Sequence, residues 1–197
     1  MDEAIVALLT GPSMLVVGAG GTSFIEVVAL VLRMEVHEAT PEDAKAVQEV
    51  AQASWHAAHE QILGTEGVEE LLDEWYDRDG LRERIAREEA PMFLAVNDGE
   101  VVGFTQGVLG EDSPAEAIVG SIYVLPEYWG RGIGTELLHR LFSAFEEKGW
   151  DSVCLAVMAE NDVARSFYDK HGFEIHEERT VELAGQEIND AVLIRNL

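Results

Sequence analysis

The stretch that most constrains the fold is residues 122–135, where a strand pattern leads through a glycine-rich turn into the start of a helix. The run Ile122-Tyr123-Val124-Leu125 favours a buried strand. Gly130, Gly132 and Gly134 follow, and glycines let a backbone come close to a ligand. The first amides of a helix attract anions, helped by the helix dipole. This order predicts an α/β domain with an anion site at the turn.

The turn suits a pyrophosphate, to which Arg131 adds a cationic side chain able to make a charge-assisted contact. It is not a P-loop, because no Gly-Lys-Ser/Thr follows the glycines. Taken alone, the segment also fits an ordinary strand-to-helix connection. A second motif is needed to decide between these two interpretations.

The charge of the chain limits its partners. The 197 residues contain 13 Lys and Arg against 38 Asp and Glu, a formal net charge of −25. Such a surface repels phosphate backbones and anionic membranes, so we expect no nucleic-acid partner and no membrane partner. The only cysteine, Cys154, forms no internal disulfide and lacks metal-ligand spacing, which predicts a cytoplasmic protein without a metal site.

Acidic residues are scattered over every polar stretch instead of forming a tail. This pattern is typical of a halophilic-type acidic surface, because concentrated salt screens the self-repulsion. An acidic surface that attracts a cationic substrate is the alternative, and composition does not separate the two.

Residues 1–33 are predicted to form an N-terminal extension of unclear role, ahead of a single domain over residues 34–197. Within the extension, residues 14–32 are long and apolar enough to raise the question of a membrane span. Glu26, the internal glycines and the acidic start at Asp2-Glu3 argue against a span or a secretory signal. A membrane anchor remains the less favoured alternative.

From Met34 onward, apolar periodicity and turn residues predict the element order βααβββαβαββ. This is an α/β (α+β) fold with a mixed, mainly antiparallel twisted sheet flanked by helices. The predicted strands are 35–39, 91–96, 101–108, 117–125, 152–158, 179–183 and 187–195. The predicted helices are a first one capped at Thr40-Pro41, then 68–89, 133–148 and 162–170.

The second motif is Asn161-Asp162-Val163-Ala164-Arg165-Ser166-Phe167-Tyr168-Asp169-Lys170-His171-Gly172-Phe173. With the glycine turn before it, this segment resembles the GCN5-related N-acetyltransferase (GNAT) family. The turn is similar to that family's Gln/Arg-x-x-Gly-x-Gly/Ala motif, and the second segment to its Asn-x-x-Ala-x-x-Phe-Tyr-x-x-x-Gly-Phe helix. The resemblance covers residues 34–197 and implies the GNAT fold with acetyl-CoA as co-substrate.

The resemblance also implies roles for individual residues. The strand before the turn would bulge and pair with the pantetheine arm through Ile122, Tyr123 and Val124. Asn161 would bind the cofactor arm or an ordered water, and the Tyr168 hydroxyl would act as general acid near the thioester sulfur. The pyrophosphate would be held by the turn residues Gly130, Arg131, Gly132, Ile133, Gly134 and Thr135.

Two positions depart from the family pattern. Trp129 stands where Gln or Arg is usual, which removes that side chain but leaves the backbone amides. Ala156 stands where members that acetylate protein N-termini carry a Glu on the strand before the Asn motif. A base or water chain must therefore come from elsewhere, because an amine of pKa ~10 has to lose a proton before it attacks. The candidate bases are Glu116, Glu127, His56 and His59.

The sequence thus predicts an enzyme that transfers acetyl from acetyl-CoA to a primary amine by direct attack. No histidine adjoins Cys154 to make it a nucleophile. Trp55, Trp75 and Tyr76 are candidates to shape the acceptor pocket. A non-catalytic acyl-CoA sensor or regulatory module is the competing interpretation. The acceptor stays open between small amines and protein amines, and a homodimer stays open because dimers are common in the family.

Overall fold

The computed structural model describes residues 34–110 and 113–197. Its helices are α1 (Ala44–Trp75), α2 (Arg78–Ile85), α3 (Ile133–Glu147) and α4 (Asp162–Lys170). Its strands are β1 (Met34–Glu38), β2 (Met92–Asn97), β3 (Glu100–Leu109), β4 (Ala117–Val124), β5 (Ser152–Met158), β6 (Glu174–Leu183) and β7 (Gln186–Asn196). The predicted order βααβββαβαββ is confirmed.

The two N-terminal helices differ from the prediction. Thr40 and Asp43 form a capping box over a 3-10 turn, and α1 then runs to Trp75 across a kink at Gly64, where φ is +73°. The predicted helix 68–89 is wrong as one element. Its first part belongs to α1, and the Asp77 carboxylate accepts from the Asp79 and Gly80 amides to start α2. An Asp that caps a helix competes with continuation of the preceding one.

The hairpin between β2 and β3 follows directly from its turn residues. Asp98 and Gly99 both have positive φ, at 52° and 85°. This is the conformation that a two-residue hairpin turn requires, and Asp-Gly provides it at low cost. The turn fixes the antiparallel register in which Asn97 pairs with Glu100.

The seven strands form one sheet in the order β1-β2-β3-β4-β5-β7-β6. Every neighbouring pair is antiparallel except β4 and β5, which are parallel. The mixed, mainly antiparallel sheet is therefore confirmed. The parallel pair lies at the centre, so the connection through α3 crosses the sheet next to the glycine turn.

Each face of the sheet packs against its own pair of helices. On the α3 and α4 face, the buried side chains include Phe93, Leu155 and Leu193. On the α1 and α2 face they include Leu94, Phe104 and Met158. Side chains of adjacent strand residues point to opposite faces, so strand parity tells on which side each site residue lies.

The edge strand β6 begins at Glu174, five residues earlier than predicted. Its residues up to Thr180 are exposed, so no hydrophobic alternation marks them in the sequence. Charged residues on a sheet edge oppose pairing with another chain. No helix in the described ranges is long and apolar enough to cross a membrane. The candidate span 14–32 and the extension 1–33 lie outside the described residues.

Candidate active site

The centre of the candidate site is a split between β4 and β5. Their described pairing is limited to Ala117 with Val153 and Ile118 with Cys154, after which the two strands diverge. The Leu125 amide donates to the Val102 carbonyl, so this residue faces β3. Because hydrogen-bonding groups alternate along a strand, the amides and carbonyls of Ile122 and Val124 face the split. These are the polar groups that an extended ligand could pair with.

A bulge in β4 lies just before those groups. Ser121 pairs with Gln106 and Val119 with Gly107, so Gly120 is the extra residue. A bulge bends its strand and re-aims the residues that follow. The position is two residues upstream of Ile122, where the resemblance had implied the bulged stretch to begin.

The glycine turn has the geometry of an anion cradle. Gly130 and Gly132 have φ of +73° and +84°, and Gly132 is the N-cap of α3. A Cβ at either glycine would meet no heavy atom within 4 Å, so the space beside the backbone is open. The first amides of a helix have no intrahelical acceptor, and here they belong to residues 133–135. The arrangement is suited to an anion.

Two side chains of the turn are engaged within the protein. Arg131 donates from Nη2 to the Glu127 carbonyl at 2.8 Å, and its guanidinium lies 4.8 Å from the centre of the Tyr128 ring. The Thr135 hydroxyl lies 3.1 Å from Nε2 of His171 on α4. The groups of the turn that stay unengaged are therefore the backbone amides at the start of α3.

Tyr168 is buried on the α4 side of the split. Its ring packs against Phe167 and Phe173. Burial raises the pKa of the Tyr168 hydroxyl well above its usual value, which keeps it a neutral proton donor. Tyr168 belongs to the buried cluster that contains Leu155 and Val157 of β5, and Ile122 and Val124 of β4 pack against that cluster, so Tyr168 lies close to both strands.

Asn161 begins α4, and its side-chain oxygen accepts from the Ala164 amide at 3.0 Å. The side chain is therefore a helix cap in this structure. Only its Nδ2 group remains available to a cofactor arm. The Asn161 amide itself donates to the Met158 carbonyl, which ties the start of α4 to the end of β5.

Trp129 replaces the usual polar side chain with another hydrogen-bond donor. Its indole Nε1 donates to the Val124 carbonyl at 2.7 Å, and the Ser54 hydroxyl of α1 donates to the same oxygen at 3.2 Å. One of the carbonyls that face the split therefore already accepts two hydrogen bonds from side chains. The sequence had indicated only that the amide cradle survives this replacement.

Three of the four candidate bases are not brought to Tyr168. Glu116 accepts from the Asp151 amide, next to the paired end of β4, about 20 Å along the strand from Tyr123. Glu127 is exposed in the 3-10 turn before the glycines. His56 is partly exposed and pairs with Glu60 at 2.9 Å. Among the described residues, no hydrogen bond, ion pair or ring contact joins any of these three side chains to Tyr123 or Tyr168.

His59, the fourth candidate, is buried in an aromatic cluster on α1. Its ring centre lies 4.6 Å from that of Trp55 and 6.3 Å from that of Tyr123. Burial lowers the pKa of His59 to about 4, so the imidazole is neutral at pH 7. Trp55 also contacts Trp75 and Tyr76, the residues predicted to shape an acceptor pocket. These aromatic residues are packed together beside the split.

Four buried polar atoms beside the split make no hydrogen bond within the described residues. They are Trp55 Nε1, His59 Nδ1, Gln106 Nε2 and Ser121 Oγ. Unpaired buried polar groups are costly and rare in proteins. The side chains of Trp55 and Ser121 nevertheless lie close enough to the Tyr76 hydroxyl to offset part of the rise that burial causes in its pKa, so polar groups of α1 and of the sheet meet in this region.

Sequence reasoning missed one acidic residue, Asp190 on β7. It is buried on the α1 and α2 face and pairs with Arg179 of β6. A signal was present, since Asp190 interrupts the alternation of Ile188, Val192 and Ile194 on the inward face. Among the described residues, no three His, Cys, Asp or Glu side chains are grouped to hold a metal ion.

Comparisons with known proteins identify the family to which the chain belongs. Residues 48–173 match the model of the acetyltransferase (GNAT) family. An uncharacterised N-acetyltransferase of Mycobacterium tuberculosis is 28% identical over 155 residues, covering 79% of this chain and 98% of that protein. The spermidine N(1)-acetyltransferase of Thermoplasma acidophilum is 29% identical over 150 residues, covering 74% and 91%.

Solved structures show the same fold. The PaiA N-acetyltransferase of Thermoplasma acidophilum in complex with coenzyme A superposes with a TM-score of 0.74 and 25% identity, covering 84% of this chain and 99% of that one. The chain belongs to the GNAT family and is an N-acetyltransferase of that family.

Proposed function

We propose that this chain moves an acetyl group from acetyl-CoA to a primary amine by direct nucleophilic attack. The observation that carries the proposal is the split between β4 and β5, which has the glycine cradle near one end and the neutral phenol of Tyr168 beside it. When bound, acetyl-CoA supplies the thioester that the amine attacks. The chain's own residues bind, orient and handle protons.

The chain's groups divide this work between them. The α3 amides hold the pyrophosphate, and the amides of Ile122 and Val124 face the split, where a developing oxyanion needs donors. Tyr168 gives its proton to the departing thiolate, which general-acid catalysis favours. Cys154 is buried in the sheet and takes no part, which is consistent with a single direct transfer.

The acceptor is proposed as an amine-bearing small molecule or protein. Support comes from the relative named for spermidine, whose acceptor group is a primary amine. The chain's net charge of −25 also favours cationic acceptors over anionic ones. We further propose a cytoplasmic location, because the single Cys154 fits a reducing compartment.

The test is calorimetric titration of acetyl-CoA and CoA, followed by thiol release with a panel of amines. The panel contains spermidine, an aminoglycoside, an amino acid amide and a peptide with a free N-terminus. We expect saturable acetyl-CoA binding and turnover with at least one amine. Binding without turnover of any amine would favour the acyl-CoA sensor. No binding of acetyl-CoA by folded protein would contradict both the enzyme and the sensor hypotheses.

A further inference from the structure

Asp190 is the only buried carboxylate among the described residues. It is 7% exposed, whereas every other acidic residue of ranges 34–110 and 113–197 is partly or fully exposed. It lies in the interior strand β7, between β5 and β6. Charged groups are almost never fully buried without a partner or a function. An acid in this position is therefore expected to have a partner, a function or both.

The partner of Asp190 is Arg179, and the pairing is one-sided. Both Nε and Nη2 of Arg179 donate to Oδ2, at 3.2 and 3.1 Å. The Arg179 side chain is 43% exposed and that of Asp190 9%. Burial raises the pKa of Asp190, and Arg179 offsets only part of that effect. Buried ion pairs seldom stabilise a fold more than apolar residues would.

Strand register places Asp190 beside the split. Asp190 pairs with Met158 and Val192 pairs with Ala156, so Asp190 is a diagonal neighbour of Ala156, about 7 Å away on the same face. Ala156 is exposed although β5 is an interior strand. The face is therefore open at this point. A molecule entering there from the α1 side would meet the split with Asp190 at its flank.

Few other titratable groups lie near Asp190. On this face, strand parity places Arg179 and Glu177 of β6 beside it, and Tyr123 of β4 on the far side of the split. His59 of α1 contacts Tyr123 and is neutral at pH 7, with a pKa of about 4. Glu177 is exposed.

We propose that Asp190 binds the amino group of the acceptor and accepts its proton during transfer. The proposal rests on the proposed function. An N–H bond of the ammonium breaks as an O–H bond to Asp190 forms, and the freed lone pair forms the new C–N bond. The C–S bond breaks, and the thiolate takes the proton of Tyr168. The acetylated nitrogen then gives its remaining surplus proton to the Tyr168 phenolate, which leaves a neutral amide, and Asp190 releases the proton that it holds to solvent. Ala156 offers no carboxylate on this face, and Asp190 supplies one from the next strand.

The first test compares Asp190→Asn with Glu182→Gln, an exposed acid on β6 as the matched control. The probe is the best amine of the panel above. We expect Asp190→Asn to lower kcat/KM for that amine by about 100-fold or more, as loss of a general base does. Its Kd for acetyl-CoA stays within twofold of wild type, and Glu182→Gln changes neither quantity.

The second test is the pH profile of Arg179→Gln. Removing the guanidinium raises the pKa of Asp190 further, so the acid limb of kcat/KM moves to higher pH. A merely structural role for the pair would lower activity without moving the limb. This variant keeps the question answerable even if Asp190→Asn proves unstable by circular dichroism.

The outcomes separate the two proposals. If wild type turns over an amine and Asp190→Asn does so within threefold, the role of Asp190 is wrong and the proposed function stands. An unmoved acid limb in Arg179→Gln also overturns the role of Asp190. If wild type binds acetyl-CoA but acetylates none of the amines, both proposals fail together.

Discussion

At Tyr168, burial decides what a common side chain can do. A solvent-exposed phenol has a pKa near ~10, and burial beside Phe167 and Phe173 raises it further. We predict that Tyr168→Phe lowers kcat by about 100-fold while the Kd for acetyl-CoA changes less than threefold, because only the proton donor is lost. Thiol release and calorimetry measure the two quantities. Unchanged kcat would contradict the general-acid role.

Burial of the His59 imidazole makes the folding stability of the protein depend on pH. Its folded-state pKa of about 4 lies below the unfolded value of about 6.5, so below pH 6.5 the unfolded chain binds the proton more readily. The contribution of His59 is therefore complete above pH 6.5 and is lost as pH falls toward 4, by about 3 kcal/mol. We predict that His59→Gln loses less stability than wild type between pH 7 and pH 4.5.

Urea unfolding at the two pH values measures that difference. Because the acidic residues titrate in both proteins, only the difference between wild type and variant reports on His59. His56→Gln is the matched control, since His56 is partly exposed on the same helix and pairs with Glu60. Equal pH dependence of wild type and His59→Gln would contradict the buried, neutral imidazole.

At the scale of elements, the start of α3 offers a test that separates binding from stability. Gly132 and Gly149 lie at opposite ends of α3, both with positive φ and with open space where a Cβ would be. Alanine at either position costs about 1 kcal/mol of stability through backbone strain. We predict that only Gly132→Ala weakens acetyl-CoA binding, by about 10-fold, because the cradle amides move.

Calorimetry with acetyl-CoA and thermal unfolding provide the two readouts for this pair. Gly149→Ala is expected to match Gly132→Ala in melting temperature and wild type in affinity. Equal weakening of acetyl-CoA binding in both variants would mean that the loss reflects general destabilisation of α3, and the cradle assignment would fail.

At the scale of the whole molecule, the negative net charge is expected to affect stability through self-repulsion. The net charge is −25, and the described ion pairs are few: Lys45–Glu49, His56–Glu60, Arg82–Asp79 and Arg179–Asp190. Salt therefore screens much repulsion and little attraction. We predict that raising KCl from 0.1 to 2 M increases the melting temperature by about 5 °C, or about 2 kcal/mol. A decrease measured by circular dichroism would contradict self-repulsion as the dominant effect.

Most of the fold was predictable from local sequence patterns. The Asp98-Gly99 hairpin, the capping box at Thr40 and the strands β4 and β5 follow from turn chemistry and apolar alternation. The helix break at Asp77 was missed because a cap and an ordinary helix residue look alike in sequence. The start of β6 was missed because an edge strand exposed on both faces carries no alternation.

The sequence by itself determined the element order and the glycine turn, because both depend on neighbours a few residues away, and the motif over residues 161–173 singled out Tyr168 through a family resemblance. Only the tertiary structure decided which side chains meet. Register brings Asp190 beside Ala156, packing buries His59 and the indole of Trp129 reaches the Val124 carbonyl. Contacts between distant parts of the chain depend on how strands pair, and pairing leaves no local mark on the residues it joins.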